Sequence, residues 1–523
     1  MAPDEPRISF TLDGSAVEVA PGATLLDTLR DQLGMTVVKD GCSPQGQCGC
    51  CTVLVDGQAR VACVTPVRRV HGRQVTTLNG LDPVRRQAWA SAFCATGASQ
   101  CGFCTPGIIV RLDALAQQAA RQQSGSGHGP VKQALLAHLC RCTGWQTILE
   151  AWDRFDPTDT DGPPRDLAAA ARRAELEGGT AQRVGPEVAM GQGGFAADTA
   201  PPDALMALSD GAGGWAVGES LAHARAQLHK IQGRRTTVAH SWPLAVPEGN
   251  WDVTLRTTWV EPAYLEPDAS WCQPAGEPSS AVANGGAFGA KLSSPVLAAS
   301  RELADRYGRP VLVLGSREDV TRWGPKRPPV AGGARSDGMG WLRVVETPGI
   351  AEAVAVVAPG LRVEEIAVPG PPTSNQIRAA GWAEALILTA AARPDDGPLA
   401  APNGSVAEAQ VKDGVIKVTV RCGQVLDDVV LRSYCIGAAH MAWSWVTSEA
   451  LTVDGEGRPV DLTVRSFGVA RAIDTPPIEI TIDSSDTSPA VNGSEAVFVA
   501  VAAATWRAAG HPPEWPVGSI AGF

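Results

Sequence analysis

Thirteen cysteines in 523 residues are the groups best able to do chemistry here, and ten of them lie before residue 143. Residues 41–63 read GCSPQGQCGCCTVLVDGQARVAC, which sets Cys42-x5-Cys48-x2-Cys51-x11-Cys63. With one extra residue in the first loop, this is the spacing with which four thiolates wrap a flat [2Fe–2S] cluster. Gly46 and Gly49 are the small residues such a loop needs, because its backbone must come close enough to donate to the sulfides. Cys50, adjacent to Cys51, is the alternative ligand, but the x2 interval favours Cys48 with Cys51. Cysteines buried merely as small hydrophobes would not crowd into a Gly-rich loop in this way.

A second set is made of Cys101-x2-Cys104 (CGFC) and Cys140-x-Cys142 (CRC), each pair beside a predicted helix end. Zinc competes for such thiols, since Cys-x2-Cys is also a zinc hook. The Cys-x-Cys second pair and a neighbouring cluster favour iron–sulfur. Cys94 has no assigned role and reads as core, and Cys272, Cys422 and Cys435 are scattered.

These loops need elements to hold them. Residues 7–20 (RISFTLDGSAVEVA) alternate apolar and polar around an Asp-Gly turn, which predicts a β-hairpin, and residues 24–33 then take helical apolar spacing. From Pro83 to Glu150 the pattern is helical, with runs over Gly107–Gln123 and Pro130–Leu139 separated by the loop SGSGHGP. Residues 156–186 mix Pro, Gly, Asp and Arg and read as a linker, with a boundary near 160. Beyond 188, β-rich runs (Trp251–Trp259, Val311–Leu314, Val415–Val420, Pro459–Val464) alternate with Ala-rich helical ones (Val296–Tyr307, Gly381–Ala392, Ala496–Ala509). That half reads as α+β.

The composition, 44% apolar and 19% charged, is that of folded globular protein, and the length asks for about three domains. A net charge of −11 without a Lys/Arg block leaves nucleic acid no electrostatic footprint. No apolar run approaches the ~20 residues of a membrane span, and Met1–Phe10 lacks the apolar segment of a signal peptide, so a cytoplasmic location is expected. Thiols stay reduced there, which makes metal ligation the default for the cysteines.

The segments GCSPQGQCGCCTVLVDG, GASQCGFCTPGIIV and HLCRCTGWQTILEA resemble the two-cluster small subunit of the xanthine dehydrogenase and aldehyde oxidase family of molybdenum hydroxylases. The resemblance implies a ferredoxin-like β-grasp [2Fe–2S] domain over 1–80, a four-helix [2Fe–2S] domain over 81–155, a linker over 156–187, and a shortened α+β molybdopterin-binding-like domain over 188–523. It places the first cluster on Cys42, Cys48, Cys51 and Cys63, the second on Cys101, Cys104, Cys140 and Cys142, and a pterin contact on Gln100. In the second half NGGAFGAK is similar to the family's Gly-rich cofactor loop, with Gly285, Gly286, Phe288 and Gly289 as its cofactor-binding residues. PTSNQIRAAGWAEA and AVNGSEAVFVAVAAA are similar to segments carrying a substrate-steadying arginine and a catalytic glutamate, here Arg378 and Glu495. SREDVTRWGPKRPP resembles a third family stretch.

The implied activity is oxidation of an N-heterocycle or aldehyde, and the implied cofactors are two [2Fe–2S] clusters and molybdopterin, its cytosine dinucleotide form among the candidates. No flavin segment lies between 153 and 188, where single-chain relatives insert one, which implies FAD on a partner subunit of a hetero-oligomer. Thirteen residues separate EPDAS from NGGAFG, where the family has a strand pair and a glutamine-bearing loop; Gln273 is the substitute this chain offers. The shortness of the half leaves room for a second molybdopterin-binding subunit. It also admits an alternative, a non-catalytic electron-transfer and assembly subunit.

Overall fold

The computed structural model describes residues 7–22, 24–42, 44–122, 127–211, 213–228, 238–279, 286–393 and 397–520. The N-terminal hairpin pairs Ile8–Leu12 with Ser15–Val19 in antiparallel register, and both turn residues, Asp13 and Gly14, take positive φ (49° and 87°) as a right-twisted two-residue hairpin requires. Gln74–Thr76 joins Ile8–Leu12 in parallel, and Thr52–Val55 with Gln58–Val61 completes a five-stranded sheet. Thr24 caps the short helix Leu25–Asp27 by accepting from the Asp27 amide. This is the expected β-grasp order, strand, strand, helix, then cysteine loop.

The helical module follows as Pro83–Thr96, Thr105–Gln122, His128–Ala134 and Gln146–Arg154. Its first helix starts on an Asp82 cap with proline at the first turn and stops at Gly97, whose φ of 70° no other residue takes as readily.

Three four-stranded sheets build the second half. Trp215–Gly218, Leu205–Ser209, Val311–Leu314 and Ala269–Cys272 lie side by side in that order. Leu361–Ile366, Gly340–Val345, Val330–Ala334 and Val253–Arg256 form the next sheet, and Leu399–Ala400, Val406–Lys412, Val415–Arg421 and Ile478–Ile482 the last. Helices Trp382–Ala391, Asp428–Thr447 and Ser494–Ala508 fill its core. The architecture is therefore the α+β one expected.

Two local readings differ. Residues 459–464 do not form a strand: Pro459 makes one isolated bridge to Val453, and a 3₁₀ turn runs over Val464–Phe467. Proline has no amide to carry a ladder onward. The segment read as linker contains the helix Leu167–Gly178, capped by Asp166, whose Ala170 and Ala174 belong to the core of the second half.

The halves meet over the cysteine loops. Arg141, between Cys140 and Cys142, reaches Glu449 with both guanidinium ends at 2.5 and 2.8 Å, and both side chains are buried. Gln45, in the first loop, donates to Glu318 and to the Leu462 carbonyl. Breaking a buried pair strands the surviving charge, so Glu449→Gln should cost roughly 3–5 kcal/mol. Chemical denaturation reads this as a lower midpoint; a loss below about 1 kcal/mol would show that the pair does not hold the halves together.

Candidate metal and redox centre

In the first loop Cys42, Cys48, Cys50, Cys51 and Cys63 are all buried. Cys42 takes thiol hydrogen bonds from Cys48 and Cys63, and Cys63 is paired in turn with Cys51. The Cys42 thiol is held well below its usual range by Cys48 first and Cys63 second, against burial, with help from the amides of Gln47 and Gln45. Cys48 and Cys63 are pushed up, chiefly by their bonds to Cys42. Backbone amides also face sulfur: Gln45 N lies 3.2 Å from Cys42 Sγ, and Cys63 N 3.4 Å from Cys51 Sγ. Cys50 is paired with Cys48, and the Cys48–Cys42–Cys63–Cys51 contacts run without it.

In the second set the Cys101 and Cys142 sulfurs are 3.7 Å apart, and Cys140 bonds to Cys104 and Cys142. The Cys140 thiol is drawn well below its usual range by Cys104, then Cys142, with Thr143 Oγ1 at 3.0 Å also contributing. One pair precedes helix Thr105–Gln122 and the other precedes Gln146–Arg154, as the spacing predicts. In each set four sulfurs follow one another in pairwise contact, with backbone amides or a hydroxyl donating to some of them. Four thiols and donors of this kind are what a [2Fe–2S] cluster would draw on.

The sets are neighbours. The Leu139 amide, next to Cys140, donates to the Cys48 carbonyl at 3.0 Å. Gly49 is what permits the approach, for a Cβ there would stand 2.5 Å from the His138 ring and 2.8 Å from the Ala137 carbonyl.

From the second set a line of contacts enters the second half. A Cβ at Gly286 would lie 3.3 Å from Cys142 Sγ, so that backbone stands against a thiol. Phe288 follows, with the Arg378 guanidinium stacked 3.5 Å over its ring. Arg378 also donates to Ser494 Oγ at 3.1 Å, and burial pushes its pKa down to about 10 against the pull of Glu495. Glu495 is raised above its usual value by burial, held back by Arg378 and pushed further by Glu177. Gly289 touches the segment before Arg378, where a Cβ would fall 1.8 Å from the Gln376 carbonyl. The fold therefore brings Gly286, Phe288, Gly289, Arg378 and Glu495 together; Gly285 lies outside the described residues. Gln100 donates to the Cys142 carbonyl and to Ser433 Oγ, both at 3.0 Å, while its Oε1 is buried without a partner. Gln273 is exposed at the end of a strand and takes no part.

Sequence reasoning does not reach Glu177. It accepts from the Gly493 and Ser494 amides at 2.9 Å each, steadying the start of the helix that carries Glu495, and it is paired with Arg173. Asp166 as a cap, the Arg173/Glu177 spacing and the Gly-Gly stop are signals enough for a helix over this stretch. Nothing local points to its partners more than 300 residues away.

Orphaned polar atoms, Gln100 Oε1 beside the second thiol set and Tyr434 OH, Thr180 Oγ1 and the Gln182 amide around Gly178, suit the polar edges of a pterin. The room does not match. The cavities near Gln100, between Arg141 and Phe498, and beside Glu495 measure about 20, 30 and 170 Å³. Pockets for ligands of that size are usually about 300 Å³ or more.

Residues 77–153 match the family described as [2Fe-2S] binding domain. The chain is 36% identical over 147 residues, 28% of its length, to a probable xanthine dehydrogenase subunit of Bacillus subtilis, covering 82% of that protein. It is 37% identical over 145 residues, 27% of its length, to the xanthine dehydrogenase iron-sulfur-binding subunit of Escherichia coli O157:H7, covering 89% of it. The crystal structure of the aldehyde oxidoreductase from Desulfovibrio desulfuricans superposes with a TM-score of 0.73 over 98% of this chain and 99% of that one, at 14% identity, which shows a shared fold. The two thiol sets predict two distinguishable [2Fe–2S] EPR signals on reduction, with Cys42→Ser removing one and leaving the other. A colourless, zinc-loaded protein is the contrary result.

Proposed function

Because this chain belongs to the xanthine dehydrogenase and aldehyde oxidase family of molybdenum hydroxylases, we propose that it carries electrons from substrate oxidation to a flavoprotein subunit. The substrate is an N-heterocycle or an aldehyde, with water as the oxygen source. Cys101, Cys104, Cys140 and Cys142 hold the cluster nearer the oxidation site, and Cys42, Cys48, Cys51 and Cys63 hold the one beyond it. The observation that supports this most is the Leu139–Cys48 backbone bond, which joins a neighbour of one cluster ligand to another ligand outright. Both clusters are one-electron carriers, so a two-electron oxidation leaves through them in single steps.

Molybdopterin, where held, supplies the two-electron oxidation of carbon. This chain's contribution beside it is electrostatic and protonic. Were the group held there, Glu495, its pKa raised by burial, would be the group placed to accept a proton, and Arg378 the one placed to steady negative charge on a substrate. Glu177 keeps the helix start in place beneath Glu495. Domain limits of 1–80 and 81–155 fit this division of labour, with the second half taking in the helix Leu167–Gly178 ahead of residue 188.

A second reading draws support from the small cavities around Phe288 and Glu495. In it the shortened half assembles the complex, and a separate subunit holds the molybdopterin. Metal and flavin analysis of the complex and of the isolated chain separates the two. The first reading expects about four Fe and one Mo on this chain and FAD only on a partner; Fe without Mo on this chain means the second. For the first reading, Glu495→Gln should keep Fe and Mo but lower turnover by about 10²–10⁴, the span of a lost general base. In the parent protein the activity should rise with pH through an apparent pKa above the ordinary carboxylate range, because the base works deprotonated. A variant with full turnover would remove Glu495 from the chemistry.

A further inference from the structure

Several buried cations in the second half come with carboxylates. Lys291 has Glu266 at 2.7 Å, Lys326 has Glu261 at 2.9 Å, and Arg327 has Glu384 at 2.7 Å. Arg317 breaks the pattern. Its side chain is 0% exposed, and it shows no carboxylate partner among the described residues. One guanidinium nitrogen, Nη2, donates to the Gly41 carbonyl at 2.9 Å and the Leu265 carbonyl at 2.8 Å, while Nε and Nη1 are buried without partners. The Tyr264 ring 5.8 Å away does not neutralise it. An unpaired buried guanidinium is among the costlier things a core can contain, so its counter-charge has to be sought nearby.

Its position indicates where. Gly41, whose carbonyl Arg317 holds, packs so tightly on the first thiol set that a Cβ there would lie 3.1 Å from both the Cys48 and the Cys50 sulfurs. Two ferric ions, two sulfides and four thiolates carry a net charge of about −2, and about −3 after one electron is added. We propose that Arg317, reaching from the second half onto the Gly41–Cys42 turn, is the counter-cation of the first cluster and raises its reduction potential. The inference rests on the assignment of Cys42, Cys48, Cys51 and Cys63 to a cluster, and it needs no molybdenum. A fixed positive charge in a low-dielectric setting favours the more negative, reduced state. One electron enters one ferric ion, giving ferrous; no bond is made or broken, and no proton is required.

The same loop contains its own control. Arg465 also comes from the second half and donates to the Gln47 carbonyl at 3.1 Å, but its side chain is exposed. Water and salt screen a charge in that position, so its influence should be weaker and should fade as ionic strength rises.

The test is redox titration of the iron-loaded full-length chain, followed by EPR, with the first cluster defined as the signal that Cys42→Ser abolishes. Arg317→Gln should lower the midpoint of that signal by at least a tenfold change in its reduction equilibrium, about 59 mV for a one-electron couple. The other signal should not move. Arg317→Lys, which keeps the charge, should stay close to the parent, and Arg465→Gln should shift less, with the difference lost at high salt. If Arg317→Gln does not fold, the lysine variant decides, because a drop there as large as a tenfold change overturns the proposal. So does an Arg317→Gln protein with both signals intact and an unchanged first midpoint, or one in which both midpoints shift together. A parent protein showing no second, Cys42-dependent signal would instead refute the cluster assignment itself.

Discussion

One backbone hydrogen bond, from the Leu139 amide to the Cys48 carbonyl, fixes the relation between the two thiol sets, and it exists because Gly49 has no side chain to hold His138 away. Much of what surrounds it preserves this contact. Thr52 reaches His138 from the strand that leaves the first loop, at 3.2 Å. Arg465 spans both sides, donating to the Gln47 carbonyl on one loop and to Leu136, just ahead of Cys140, on the other. The second half therefore acts as a clamp on two loops whose separation governs the passage of an electron, and that passage weakens steeply with small displacements.

The parts of this arrangement that are legible in the sequence share a physical character. Eight thiols declare themselves because ligation to iron demands fixed spacing within short loops. The hairpin does so because Asp-Gly is the turn that a right-twisted ribbon needs. Helices with one wet face, such as Val296–Tyr307, are legible from their periodicity. Asp428–Thr447 is not, although it is the longest helix described, because it is buried nearly all round and so has no polar face to set the period. Phe288, Arg378 and Glu495 can be named only through resemblance, and their meeting depends on three distant segments. Glu177 has no such resemblance to reveal it, and Arg317 belongs to a segment recognisable without any role attached.

Several buried charges in the second half are managed in pairs. Where a buried cation has its carboxylate, the pair closes a seam, as Arg327 and Glu384 do under the turn that carries Arg378. Polar atoms left over are found at several places, Gln100, Tyr434 and Thr180 among them. The fold is shared with aldehyde oxidoreductase.

The clamp on the cysteine loops also sets an order of manufacture. Most of the sulfurs are sealed once Arg141 has met Glu449 and Gln45 has met the Leu462 carbonyl, and both partners lie late in the chain. On a ribosome Arg141 emerges 308 residues before Glu449, and the cysteine loops emerge with it or earlier. The chain that covers the cysteine loops is thus made long after the loops themselves.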